Sequence, residues 1–225
     1  DSRGISATET PAYDFTYAAT TGNFIEITGY TGNDTELVIP AVIEGYTVDG
    51  VNENAFQNNT ALTSVILPDT LTVIEAGAFS GCTALSYVGF GKNLAVIGDS
   101  AFAACTALER VTLSNAVTQL GAYCFAECTA LKTVSMPDTV QKLGYRAFRN
   151  NTALESVNIP IGWNECPVHN RYYYGHMFEG CSGLTSIAVP EGMVTLPAYA
   201  FQGCAYLENV SLPSTLVTIG NTAFQ

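Results

Sequence analysis

The residues with most chemistry to offer in this chain of 225 are seven cysteines and two histidines. Cys82, Cys105, Cys128, Cys181 and Cys204 recur at intervals of 23 residues, with one wider gap of 53. Evenly spaced thiols could ligate zinc, pair as disulfides or pack as small core residues. Zinc fits poorly, because no C-x-x-C pair is present. Disulfides between stacked neighbours fit little better: the Cα atoms would be close enough, but parallel Cβ vectors do not converge, and seven is an odd number. Reduced, buried thiols are the expected state. His169 and His176 lie near Cys166 and Glu165, in a spacing that matches no standard metal site, so no metal is assigned. No Ser-His-acid group has motif context and no glycine-rich phosphate loop occurs. No catalytic residue is assigned, no cofactor is expected, and the chain reads as a non-enzyme. The N-x-T sequons at Asn33, Asn58 and Asn150 are short enough to arise by chance.

The elements that would position these groups follow from the phenylalanines. Phe56, Phe79, Phe102, Phe125, Phe148, Phe178, Phe201 and Phe224 are separated by 23, 23, 23, 23, 30, 23 and 23 residues. A fixed period of this size is the signature of a solenoid. Aligning on Phe gives apolar columns six residues later (Leu62 through Leu207), nine later (Val65 through Val210) and eleven later (Leu67 through Leu212). The last two columns are two residues apart, so they share one face of a strand. Pro68, Pro137, Pro160, Pro190 and Pro213 follow that strand and end it. A further apolar column precedes Phe by five residues, from Val51 to Ile219. Each coil therefore reads as a strand, a turn, a second short extended piece and a helical turn around an Ala-Phe pair. The five cysteines stand three residues after Phe, where other coils have Asn59 and Asn151. Cys and Asn share modest size and hydrogen-bonding capacity, so this position is expected to face inward and bond to turn backbone. Cys124 takes the small-residue position before Phe.

The repeated unit AF-x-x-C/N-x-x-L-x-x-V-x-L-P, from about Thr35 to Gln225, resembles the BspA-like leucine-rich repeats of surface proteins. The resemblance implies a right-handed leucine-rich repeat solenoid: short parallel strands with brief helical turns, and a sheet on the concave side. It also implies a secreted or cell-surface location and a role in adhesion or binding to an extracellular protein or glycan. A structural spacer, or a glycan-binding accessory to a secreted enzyme, is the alternative.

Three segments are expected: a linker or chain end over 1–12, a β-rich N-terminal cap over 13–40, and repeats over 41–225. The repeats stop in mid-coil, so further repeats or other domains are expected beyond the last residue. Asp1 to Pro11 is polar with no apolar run and reads as neither a signal peptide nor a membrane span. Around Glu44-Gly45-Tyr46 the first coil carries a five-residue excess. The net charge is −12, with eleven acids and one base in residues 1–75 (net −10) and nine acids and seven bases in 76–225 (net −2). That balance argues against nucleic acid, which requires a basic face, and against an anionic membrane surface.

Candidate partner contacts come from two places. Among outward strand positions, Tyr87 and Arg110 are of types enriched at binding hot spots. Glu109, Lys132 and Glu155 form a column of alternating charge that is expected either to pair with itself or to remain a solvated face. The 30-residue coil carries its seven extra residues between Pro160 and Tyr173, with Trp163, His169, Arg171, Tyr172 and Tyr174. Insertions of this kind become loops on one face of a solenoid. There the aromatic residues either contact a partner or fold back to fill a gap.

Overall fold

The computed structural model describes residues 9–165 and 175–225. The chain enters through β1 (Phe15–Ala19), β2 (Phe24–Tyr30), β3 (Glu36–Val38), β4 (Val42–Ile43) and β5 (Tyr46–Val51). Successive coils then supply β6 (Ser64–Ile66) and β7 (Val73–Ile74), β8 (Tyr87–Gly89) and β9 (Val96–Ile97), and β10 (Arg110–Thr112) and β11 (Gln119–Leu120). They continue with β12 (Thr133–Ser135) and β13 (Lys142–Leu143), β14 (Ser156–Val157), β15 (Ser186–Ala188) and β16 (Thr195–Leu196), and β17 (Asn209–Ser211) and β18 (Thr218–Ile219). Among the described residues no helix is long and apolar enough to cross a membrane.

These strands stack into a β-solenoid of about eight turns. The first strand of each coil builds a front sheet in three blocks, β3-β6-β8, β10-β12-β14 and β15-β17. The second builds a back sheet, β1-β2-β5-β7-β9-β11-β13, with β16-β18 as a separate pair. The coil-to-coil pairings are parallel; β3 meets β6 at an offset of 28 residues, and among the strands after β5 the register is 23, as in Val111↔Val134 and Leu120↔Leu143. Parallel stacking at strand spacing places equivalent side chains on one another. The eight phenylalanine rings accordingly form one continuous stack, with centroids 4.9 to 5.6 Å apart and planes within 3 to 7°. The stack continues across the 30-residue coil, where Phe148 and Phe178 are 5.4 Å apart.

At the start of the chain, β1 pairs antiparallel with β2 and is the outermost strand of the back sheet. Phe15, Ile25 and Ile27 are buried there, while Tyr13 is exposed. The excess residues at Glu44-Gly45 make the turn of a small antiparallel hairpin between β4 and β5, with φ of 50° and 86°. The Tyr17 hydroxyl and the Asn23 amide donate to Glu44 Oε2 and the Gly45 carbonyl and hold this hairpin against the first.

The segment around each Ala-Phe pair differs from the expected helical turn. Ala101, Ala103 and Cys105 donate their N–H within the coil, to Gly98, Ser100 and Phe102. The alternate residues Ser100, Phe102 and Ala104 donate to the next coil, to Ala122, Cys124 and Ala126. A helix would keep every N–H in its own turn. Half of these bonds run between coils because residues two before and two after Phe have positive φ: 54° at Ser100 and 58° at Ala104, 56° at Tyr123 and 61° at Glu127. The third side of the solenoid is thus a ladder of turns, hydrogen-bonded from coil to coil like a sheet.

Candidate binding surface

The front sheet has the alternation that places one set of side chains inward and one outward. Val111, Val134 and Val157 enter the core from β10, β12 and β14. Arg110, Thr133 and Ser156 lie side by side in register, as do Thr112 and Ser135. With Asn158 they line a shallow depression. The Asn158 side chain is fixed by Met136: its Oδ1 accepts from the backbone N–H at 2.7 Å and its Nδ2 donates to the carbonyl at 2.6 Å. Arg110 is exposed, and among the described residues its guanidinium has neither an ion pair nor a hydrogen bond. Tyr87 is half-buried at the equivalent position one coil earlier, paired in register with Ser64. Glu109, Lys132 and Glu155 lie in adjacent coils, with Lys132 N–H donating to the Glu109 carbonyl and Glu155 N–H to that of Lys132, both at 2.9 Å. Their side chains are exposed, and no ion pair joins them among the described residues. A second depression on β15 and β17, lined by Ser186, Ala188, Asn209 and Ser211, contains no charged side chain.

Trp163 does not belong to this surface. It sits in a 3-10 turn over Ile161–Glu165, is 2% exposed and meets Phe178 edge-on at 6.4 Å. The indole packs beside the phenylalanine stack, with its N–H buried and unpartnered. His169, Arg171, Tyr172 and Tyr174 lie outside the described residues.

A second cluster, on the turn side, was not foreseen from the sequence. Tyr123, Arg146, His176 and Tyr199 all stand two residues before Phe, in four consecutive coils. His176 stacks on Tyr199 at 4.3 Å and meets Tyr145 edge-on, and Tyr145 meets Tyr123 edge-on at 5.5 Å. The Arg146 guanidinium lies over the Tyr145 ring at 4.8 Å. Glu179 is the hub: Oε2 accepts from Arg146 Nε at 2.8 Å and Oε1 from Arg149 Nε at 3.3 Å. His176 Nδ1 is also 2.8 Å from Oε2, close in distance but without hydrogen-bond alignment. Burial holds the His176 imidazole below its ordinary pKa, against the opposing pull of Glu179. The signal in the sequence was the change in this column from Asn54, Gly77 and Ser100 to large side chains.

The regularly spaced thiols do face inward and bond to turn backbone. Cys82, Cys105, Cys128, Cys181 and Cys204 each donate Sγ–H to the Phe carbonyl of the coil before, at 3.0 to 3.3 Å. All are free thiols. Burial pushes their pKa up, to about 11 at Cys82 and about 12 at Cys128 and Cys204. Thiols held in the protonated form are poor nucleophiles and poor ligands. Among the described residues no cluster of His, Cys, Asp or Glu could hold a metal ion.

A solenoid of short parallel strands with a repeated Leu/Val column is a leucine-rich repeat protein. The sequence matches the BspA type leucine rich repeat region, in six copies, over residues 49–174 and 171–225, and the chain belongs to that family. The structure is similar to a T. pallidum leucine-rich repeat protein, with 26% identity, a TM-score of 0.70 and coverage of 95% of this chain and 86% of that one. A leucine-rich repeat protein from Bacteroides ovatus is 28% identical with a TM-score of 0.79; 92% of this chain aligns, but it spans only 54% of that protein. Comparison with curated proteins gives no match.

Proposed function

We propose that this chain is a non-catalytic binding or adhesion module of a secreted or cell-surface protein, and that its front sheet receives an extracellular partner. The observation that carries this reading is the Arg110 depression: an unpaired cation set among ordered rows of outward Thr, Ser and Asn side chains. Such a surface has hydrogen-bonding groups in fixed positions and a charge with no structural duty. The family is one of surface proteins, and the described thiols, the groups most suited to catalysis, are buried or half-buried with their pKa pushed up by burial. His169, Arg171, Tyr172 and Tyr174, which the sequence places in the insertion after Pro160, are proposed as a second set of partner contacts.

The test is binding of the whole chain to immobilised extracellular-matrix proteins and to a glycan array. It compares the native protein with a variant carrying Arg110→Ala and Thr133→Ala, and with one carrying Tyr172→Ala and Tyr174→Ala. Saturable binding that either variant loses, with the melting temperature retained, supports the module. Absence of binding to every protein and glycan leaves the chain a spacer and overturns the reading.

A further inference from the structure

The geometry points to a saccharide carrying a carboxylate as the group that the Arg110 depression receives, an inference that rests on the binding-module reading above.

Charge distribution is the first argument. All six described cations, Lys92, Arg110, Lys132, Lys142, Arg146 and Arg149, fall between residues 92 and 149. That stretch also contains four acids, Asp99, Glu109, Glu127 and Asp138, and with the ion-pair partners Asp69 and Glu179 outside it the six cations face six acids, a locally neutral part of a chain of net charge −12. An anion therefore meets less repulsion here than along the acidic remainder of the described coils.

Pairing is the second. Arg146 and Arg149 are committed to Glu179, and Lys92 to Asp69. Arg110, Lys132 and Lys142 have no such partner among the described residues, and of these three Arg110 alone lines the depression. A single guanidinium presents a planar fork that matches the two oxygens of one carboxylate.

The remaining lining separates a saccharide from an acidic peptide. Thr112, Thr133, Ser135, Ser156 and Asn158 offer hydroxyl and amide groups in two rows across three strands. Strand spacing of ~4.8 Å sets them in a grid of hydroxyls, each able both to donate and to accept. The floor, Val111 and Val134, is buried beneath the rows. A peptide would draw most of its affinity from an apolar or aromatic anchor entering a pocket, and this depression offers none. Sugar hydroxyls, which need many polar partners in fixed positions, match it. Asn158, clamped by Met136, keeps its outer amide hydrogen and lone pair oriented at the end of the row.

The experiment compares carboxylated glycans (uronate- and sialate-containing) with their neutral counterparts and with sulfated ones on an array. Affinities for the best-bound carboxylated glycan and its neutral counterpart are then measured by calorimetry. The expected result is binding of the carboxylated form, at least tenfold weaker without the carboxylate or with Arg110→Ala. Arg110→Lys should be intermediate, and affinity should fall as salt is raised. Lys142→Ala, a charge change on the back sheet, should leave affinity unchanged. Melting temperatures report that each variant is folded. Equal binding of neutral forms, preference for sulfated forms, or full affinity in Arg110→Ala overturns the assignment. If matrix proteins bind while no carboxylated glycan does, this inference fails and the binding-module reading stands.

Discussion

Asn151 shows how much one side chain decides in a stacked column. In the neighbouring coils a thiol at this position donates to the Phe carbonyl one coil back, as Cys128 does to Phe102 at 3.2 Å. Asn151 instead turns its Oδ1 to the Cys128 backbone N–H at 2.9 Å, and its Nδ2 is left buried without an acceptor. An unsatisfied buried donor costs about 1–3 kcal/mol. Asn151→Cys would place Sγ opposite the Phe125 carbonyl, 26 residues back as in the other coils. The Cys128 N–H would then be free to bond Phe125, as Cys105 bonds Phe102. We expect stabilisation of about 1 kcal/mol, read as a shifted midpoint in urea denaturation with unchanged slope. An unaltered or lowered midpoint counts against the orphaned amide as the cause. Column identity at this position was legible from the sequence because Cys and Asn alternate in it. The donor-to-carbonyl pairing across coils was not, because it depends on the exact height of each turn.

At the scale of the element, the turn ladder was the part misread. A small residue, Phe and a hydrogen-bonding residue three positions later suit a helical turn as well as a string of tight turns. The discriminating signal was Gly or Asn two residues after Phe: Asn58, Gly81, Asn150, Gly180 and Gly203, all with positive φ. Gly accepts that conformation freely, and Asn tolerates it better than most residues. The strands and the aromatic stack were legible because their columns recur in register in all coils but the 30-residue one. The turn-side cluster was not, because its members are irregular substitutions in a column whose side chains face outward. Glu179 ties Arg146 and Arg149 of one coil to His176 of the next, with side chains only 19 to 34% exposed. Glu179→Ala should therefore cost roughly 1–3 kcal/mol, the range for leaving a partly buried charge without its partner. The pH dependence has a definite sign. His176 is held below its ordinary 6.5 by burial, so between that value and its folded value the unfolded chain binds the extra proton. Stability is full above about 6.5 and declines as pH falls through the folded pKa. His176→Gln should flatten that decline in thermal melts taken between about pH 7 and 5, and an unchanged profile would place the titration elsewhere.

The whole molecule is close to one-dimensional: each coil touches only its neighbours, and stability is carried by the interfaces between them. One interface differs from the rest. Between β14 and β15, and between β13 and β16, no strand pairing joins the two blocks among the described residues. Among the described residues the connection there includes the Phe148–Phe178 stack, the edge contacts of Trp163 with Phe178 and of Tyr145 with His176, the N–H bonds of Phe148 to Met177 and of Asn150 to Glu179, the Cys181 thiol on the Phe148 carbonyl, and the Glu179 cluster. Elsewhere, as at Phe102, the ring is reinforced by paired strands on the back sheet. Both Phe102→Ala and Phe148→Ala remove a fully buried ring and should each cost about 3–5 kcal/mol. Their consequences for cooperativity should differ. Phe102→Ala leaves the strand ladder on either side intact, so unfolding should remain a single transition with a lower midpoint. Phe148→Ala removes the main contact at an interface without strand pairing, so the last coils, from Met177 onward, should unfold separately and first. Urea titrations followed by circular dichroism, with hydrogen exchange to locate the early-opening amides, distinguish the two variants. Two transitions in Phe148→Ala, with early exchange confined to residues after 175, are the expected outcome. A single transition of undiminished slope would mean that the turn ladder and Glu179 alone couple the two blocks, and that the aromatic stack is not what makes the solenoid act as one unit.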